Sequence, residues 1–389
     1  METKTIQFLL AGLVMMLFGI TMMVVGTINN YLTITFDVNK AFIGLCASVL
    51  AAGVFVGQFS FGPVVDRLGY KPVMLAGVAL VTFGLTGIVF GKVVEIIPFF
   101  FFLIGAGGGI ANGVTNLLIA DLYPGKSSAY MSLLGVFFGI GALGLPLLTS
   151  LLRENGFSYE TILSFVTMFL AVPFVMVLVM RFPGPRRSRA ISVKEYLGFI
   201  FHPAILLIGF FLFFQGALEA IVPVWTPTFL SGSHSVSYDK GLYAITVSAG
   251  GMTLTRLLLG RILMKRSSFQ MVVVSLLILA GGLLLLQFGP SFIFSLAGVG
   301  IVGVGMAASF PVMLSCAVDF FPENSGTAMS LVLGMALVGN FILNYLTGLI
   351  LEEWGVGYLN VILGGLVFAL FSLLMLIRRR LFFSKTTVD

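Results

Sequence analysis

Residues 120–133, Ala-Asp-Leu-Tyr-Pro-Gly-Lys-Ser-Ser-Ala-Tyr-Met-Ser-Leu, return at 318–331 as Val-Asp-Phe-Phe-Pro-Glu-Asn-Ser-Gly-Thr-Ala-Met-Ser-Leu, 198 positions later. Glycines keep the same offset along the chain: Gly53 with Gly251, Gly62 with Gly260, Gly105 with Gly303, Gly107 with Gly305 and Gly141 with Gly339. Near the start Gly19 meets Gly216 at an offset of 197, so the first helix fits either register. Self-similarity held this far means one structural unit built twice. Any fold for the chain must therefore accommodate two copies of it.

What is repeated follows from polarity. Hydrophobic residues make up 59% of the chain, charged ones only 9%, and the mean hydropathy is +1.12. A water-facing surface needs roughly 25–35% charged residues, so this chain cannot enclose its core in a soluble surface. A hydrocarbon layer about 30 Å thick is crossed by about 20 apolar residues in a helix. Segments that meet this requirement run at 6–34, 40–63, 71–91, 94–120, 127–151, 160–181, 199–230, 239–262, 269–288, 291–318, 325–351 and 357–378, bounded by charges, Gly or Pro. The expected fold is all-α and polytopic, with twelve transmembrane helices in two six-helix bundles. Six is an even number, so both copies start from the same side and are related by an axis along the membrane normal.

With the N-terminus inside, the connectors place sixteen Lys and Arg residues in the cytoplasm against Lys40, Lys92, Arg153 and Lys240 outside. That asymmetry orients the chain with both termini cytoplasmic. The net charge of +6 then reports topology and contact with anionic lipid rather than nucleic-acid binding. A Pro- and Arg-rich stretch from Arg181 to Glu195 separates the copies, giving an N-terminal bundle at 1–181, a linker at 182–198 and a C-terminal bundle with a basic tail at 199–389. The first helix is too long for a signal peptide and reads as a retained span. Cys46 and Cys316 fall inside spans as small apolar fillers, and no disulfide, metal site or cofactor site is suggested.

The connector after the second span reads Gly62-Pro-Val-Val-Asp66-Arg67-Leu-Gly69-Tyr-Lys71. Gly62 permits close helix approach, and Asp66 and Arg67 are suited to charge-assisted bonds with a facing helix terminus at the cytoplasmic surface. A topology-setting charge cluster is the alternative reading. The connector resembles the signature loop of the major facilitator superfamily. Twelve helices, parallel halves and a basic central linker extend the resemblance over the whole chain. It implies an alternating-access carrier, working as a monomer in the cytoplasmic (inner) membrane, in which Asp66 latches the outward-open state. The second copy, Gly260-Arg261-Ile-Leu-Met-Lys265-Arg266, has no acid, which puts a symmetric latch in doubt.

In the seventh span the run from Gln215 and Glu219 to Trp225-Thr-Pro227-Thr-Phe229-Leu230 is similar to the fucose-permease-like sugar:proton symporters. Thr255-Arg256 in the eighth span and Asp121 to Pro124 add to that similarity. The group carries its titrating acids in helices 1 and 4. Here those helices offer only neutral polar residues such as Thr21, Thr27, Asn30, Asn112 and Asn116.

A charge left in the bilayer costs about 2.5–3.5 kcal/mol on insertion scales, so each needs a reason. Glu219 lies about two-thirds along the seventh span with Gln215 one turn below it, placed either to couple a proton or to serve as a hydrogen-bonded structural carboxylate. Arg256 falls within about two turns of the cytoplasmic end of its helix and reads as a snorkelling or latch residue that pairs with a loop acid such as Asp319. Asp121 and Asp319 are repeat mates before Pro124 and Pro322 and read as caps or latches of the helices that follow.

Neutral amides outline a candidate solute site. Asn112 and Asn116 share one helix face, as do Asn340 and Asn344, and Thr27, Asn30 and Tyr31 cluster on the first span. Amides donate and accept, as a hydroxyl-rich solute requires, while Trp225, Tyr31 and Tyr345 offer faces for a sugar ring. The same amides also serve as glue between helices. His202 and His234 read as solvated ends, and Gly105 to Gly109 as a helix-packing run rather than a nucleotide loop. No nucleophile, P-loop or zinc motif argues for an enzyme.

The expected function is secondary transport of a small polar solute, a sugar or related polyol or organic solute, with proton symport through Glu219 or, if Glu219 is structural, by facilitated diffusion. A proton-coupled exporter of amphipathic compounds or lipids, suggested by 39 Phe and 18 Met, is the rival, and a non-transporting solute sensor has the same sequence signature.

Overall fold

The structure is a computed structural model, and it describes residues 2–38, 40–91, 93–184, 198–234, 236, 241, 243–262 and 267–379. Among the described residues the chain forms twelve long helices. They are α1 (Glu2–Phe36), α2 (Lys40–Leu68), α3 (Tyr70–Phe90), α4 (Ile97–Leu122), α5 (Ser127–Glu154), α6 (Tyr159–Val179), α7 (Pro203–His234), α8 (Tyr243–Ile262), α9 (Ser268–Phe288), α10 (Phe292–Phe320), α11 (Ser325–Trp354) and α12 (Leu359–Ile377). Eleven of them are long and apolar enough to cross a bilayer among the described residues; α8, which carries Arg256, is the least apolar of the twelve. Outward-facing side chains are apolar, with Phe90, Met168, Phe288 and Phe368 at 74%, 76%, 76% and 75% exposure, as befits a surface solvated by lipid.

The chain clusters into two compact units. Unit 1 comprises Met1–Pro124, Leu134–Ser192 and Phe321–Ser330, and unit 2 comprises Gly125–Leu133, Val193–Phe320 and Leu331–Asp389. The start of α5 thus groups with unit 2, and the start of α11 with unit 1. Most of the linker lies outside the described residues.

Glycine determines how the helices pack. Lipid supplies no hydrophobic drive between helices, so close backbone approach through small residues is what holds them together. A Cβ on Gly53 would meet the Phe102 carbonyl at 2.2 Å, one on Gly105 the Leu50 carbonyl at 2.1 Å, and one on Gly109 the Val54 carbonyl at 2.3 Å, so α2 and α4 interlock. Unit 2 repeats the device: Gly303 faces the Ser248 carbonyl at 2.2 Å and Gly251 the Gly300 carbonyl at 2.5 Å.

These contacts also decide the register of the first helix. Gly19 abuts the Phe138 carbonyl and Gly216 the Ala336 carbonyl; Gly12 abuts Phe137 and Gly209 Met335; Gly141 abuts the Met16 carbonyl and Gly339 that of Phe213. Each pairing maps α1 onto α7 at 197 while its partner maps at 198. The repeat mate of Glu219 is therefore Met22, an apolar residue, and not Thr21.

The copies differ in one helix. α4 is continuous, whereas α10 is interrupted at residues 307–308 between Phe292–Met306 and Ser309–Phe320. Pro311 explains the break, because it has no N–H for the Ala307 carbonyl and its ring crowds that carbonyl. Its mate in α4 is Gly113, which packs against the Phe61 ring.

Replacing Gly109 or Gly303 by Leu is expected to cost about 1–3 kcal/mol or more through overpacking. The thermal midpoint of the detergent-solubilised protein should fall for both, while Gly364→Leu, where a Cβ meets nothing within 4 Å, should leave it near wild type.

Candidate functional site

The turn after α2 is built from its own sequence. Gly69 takes φ 79°, a conformation that favours glycine, and its N–H closes on the Val65 carbonyl at 2.8 Å. That turn ends α2 with Asp66 only 2% exposed. Asp66 Oδ1 accepts from the Gly326 N–H at 3.2 Å, and Oδ2 from the Thr327 N–H at 3.0 Å and the Thr327 hydroxyl at 2.9 Å. These amides belong to the first turn of α11, which has no intrahelical acceptors for them, so Asp66 caps a helix from elsewhere in the chain. Gly62 makes the approach possible: a Cβ there would meet the Gly326 carbonyl at 2.2 Å. Arg67 is exposed. The second-copy loop, Gly260 to Arg266, lies outside the described side chains. Asp121, at the end of α4, accepts from the Tyr70 hydroxyl at the start of α3, and Asp319 is exposed.

Deeper in unit 1, polar side chains join α2 to α4. Asn116 Nδ2 donates to Asn112 Oδ1 at 3.0 Å and to the Asn112 carbonyl at 2.8 Å, while Asn112 Nδ2 donates to Gln58 Oε1 at 3.2 Å. Gln58 is 1% exposed, yet its Nε2 has no hydrogen-bond partner among the described residues. Gln58 is the member that sequence reasoning missed. Its signal was visible, since it is a glutamine inside an apolar span and the repeat mate of Arg256.

The α1 residues stand apart from this group. Thr27 spends its hydroxyl on the Met23 carbonyl of its own helix at 2.8 Å. Buried Tyr31 is hydrogen-bonded to Glu160, and its ring lies 5.5 Å from that of Tyr159. The side chain of Asn30 lies outside the described residues.

Unit 2 brings charge into its interior. Gln215, fully buried on α7, donates from Nε2 to Glu219 Oε1 at 3.0 Å and to the Met306 carbonyl at 3.3 Å. That carbonyl is the last of the first α10 segment, so the break at residues 307–308 leaves it free to accept. Arg256 Nη2 stands 3.9 Å from Glu219 Oε1, with both side chains mostly buried. The arginine thus turns along α8 to reach α7, because a carboxylate in hydrocarbon attracts a long flexible cation more strongly than the wetter membrane surface holds it. Arg256 Nε and Gln215 Oε1 are buried without hydrogen-bond partners among the described residues. Ser132 Oγ, at the start of α5, donates to the Arg256 carbonyl at 3.2 Å.

Trp225 Nε1 donates to Asn344 Oδ1 at 2.8 Å and packs over Gly348, joining α7 to α11. Asn340 lies half-buried one turn before Asn344, and Tyr345 faces outward at 69% exposure. His234 is not a solvated loop residue: α7 extends to it, and its Nε2 lies 2.9 Å from Ser295 Oγ. His202 stays exposed and accepts from the Ala204 N–H at the start of α7.

Twelve apolar helices built from two copies of one unit, with amides and an ion pair buried among them, define a polytopic membrane protein. The chain belongs to the Major Facilitator Superfamily, whose family model matches residues 8–322 and 241–386. It is a multi-pass protein of the cytoplasmic membrane, and its family implies a small-molecule substrate. Similar sequences include the uncharacterized MFS-type transporter YfkL of Bacillus subtilis, 19% identical with 88% of each chain covered. The multidrug resistance protein MdtL of Escherichia coli is 24% identical, with 85% of this chain and 84% of the relative covered. Among solved structures, the E. coli fucose:proton symporter FucP superposes with a TM-score of 0.81 at 14% identity, covering 96% of this chain and 99% of the other. At that identity the likeness is one of fold.

Asp66→Asn would turn three charge-assisted bonds into neutral ones and leave an NH2 group facing α11 donors, at a cost of about 1–3 kcal/mol. Hydrogen–deuterium exchange across 326–330 should accelerate in Asp66→Asn and less in Thr327→Val. Unchanged protection in Asp66→Asn would show that the cap contributes nothing.

Proposed function

We propose that the chain is a secondary carrier that moves a small polyhydroxylated solute by alternating access, with a proton carried on Glu219. The observation that supports this reading most is that Gln58 Nε2 in unit 1 and Gln215 Oε1 in unit 2, next to other polar side chains of their units, are two of the seven buried side-chain polar atoms without partners among the described residues. Buried polar groups are almost always paired, so unpaired ones inside an apolar protein are reserved for something that binds there. Gln58, Asn112 and Asn116 form one set of hydroxyl-binding groups, and Gln215, Trp225, Asn340 and Asn344 form the other. Asp66, with Gly62 beneath it, acts as a conformational latch: releasing the first turn of α11 exposes a buried carboxylate and two helix amides together. Arg67, Asp121 and Asp319 support that latch at the cytoplasmic ends of their helices. In this reading Thr27 and Tyr31 hold α1 through the Met23 carbonyl and α6.

A second reading, export of amphipathic compounds, draws support from similarity to proteins named for multidrug resistance. Thermal-shift screening separates the two: stabilisation by monosaccharides, polyols or their acids favours the first, and by hydrophobic cations the second.

In proteoliposomes with an inward pH gradient, the wild type should accumulate a labelled solute that stabilises it. Glu219→Gln should lose at least about tenfold of the gradient-driven accumulation while retaining exchange of labelled for unlabelled solute. Equal accumulation in both proteins would remove Glu219 from coupling.

A further inference from the structure

The pairing of Glu219 with Arg256 limits which solute can be carried with a proton. The contact is an ion pair at 3.9 Å through Nη2, longer than a hydrogen bond, and Nε is buried without a partner among the described residues. Guanidinium presents five donors in a planar fork that matches a carboxylate. Arg256 is thus a mostly buried cation in an apolar helical unit whose Nε donor is unspent among the described residues.

Charge conservation supplies the next step. With no solute bound, Arg256 and Glu219 neutralise each other. A proton on Glu219 beside a neutral solute would leave the guanidinium buried without a counter-ion, the costliest arrangement available. A proton on Glu219 together with a solute carboxylate at Arg256 restores neutrality. We propose that Arg256 receives the carboxylate of the solute while Glu219 takes up one proton, so the solute is a polyhydroxylated monoanion, a sugar acid. This rests on the reading of the chain as a proton-coupled carrier of polyhydroxylated solutes and narrows its substrate class.

The exchange balances. A proton leaves water for a Glu219 oxygen, the Glu219–Arg256 pair opens, and the solute carboxylate pairs with Arg256. The order reverses on the far side, no bond of the solute changes, and no net charge crosses. Other charged or titratable groups on the packed elements lie toward helix ends: Tyr130, Arg153 and Glu154 on α5, Cys316 and Asp319 on α10, Tyr243 and Arg261 on α8, Tyr345, Glu352 and Glu353 on α11 and His234 on α7. α12 carries none within Leu359–Ile377.

The test uses the full-length protein in proteoliposomes loaded with a pH-sensitive dye. Sodium D-gluconate is compared with D-sorbitol, and D-glucuronate with D-glucose, each pair differing at the carboxylate. The carboxylates should acidify the lumen above protein-free vesicles, equally at any clamped membrane potential, and the neutral partners should not. Neutral solutes that acidify the lumen as well as or better than the acids overturn the anion assignment and leave the proton-coupled carrier standing. No flux with either class overturns both.

Gluconate binding to the wild type should weaken about tenfold per pH unit above the titration of Glu219, the slope of one linked proton. Glu219→Gln should bind it without that pH dependence. Because Arg256→Gln alone leaves Glu219 unpaired, the double variant Glu219→Gln/Arg256→Gln serves as the folded control. It should keep the wild-type elution profile and lose gluconate binding, and retained binding there overturns the proposal.

Discussion

Hydrocarbon offers no hydrogen bonds, and every other feature of this protein follows from that. Each backbone must satisfy itself, so the chain is helical wherever it crosses. Each polar side chain inside a span must find a partner or be held in reserve. The hydroxyls of Thr21, Thr27, Thr82, Thr86 and Thr115 bond back to their own helices for this reason. The amides of Asn112 and Asn116 chain together toward Gln58. Among the described residues partners run out at Gln58 Nε2, Gln215 Oε1 and Arg256 Nε, and also at Thr149, Ser309, Asn324 and Asn360.

The two copies share a scaffold and divide the chemistry. Glycine contacts recur at matched positions because close backbone approach is what lipid-embedded helices need. The side chains laid on that scaffold differ. Gln58 becomes Arg256, Met22 becomes Glu219, and Gly113 becomes Pro311. The last exchange matters as much as the charges, since the broken α10 frees the Met306 carbonyl that Gln215 uses while it holds Glu219. One unit buries neutral amides, and the other carries an ion pair. Asp66 adds a further asymmetry of sequence, because its counterpart position holds Met264, which has no carboxylate.

Twelve spans, their order, the duplication and the orientation were legible in the chain itself. Each is a one-dimensional property: length of apolar run, periodic recurrence, and the distribution of Lys and Arg between connectors. The i, i+4 amide pairs and the Gln215–Glu219 bond were legible for the same reason, since helical geometry brings those residues together without help from elsewhere. Partners between helices were not. Position along α8 placed Arg256 near the cytoplasmic surface, and only the packing of α8 on α7 turns it to Glu219. Tyr31 reads as a ring face for a solute, but the neighbouring α6 supplies Glu160 and Tyr159 to engage it. The offset of α1, undecided between 197 and 198, was settled by which carbonyl each glycine touches. Local periodicity and composition thus determined what crosses the membrane, which way and how often, because those depend on neighbours in sequence. Which polar groups meet was decided by tertiary structure alone, because a side chain's partner on another helix depends on rotation and depth, and neither is written along the chain.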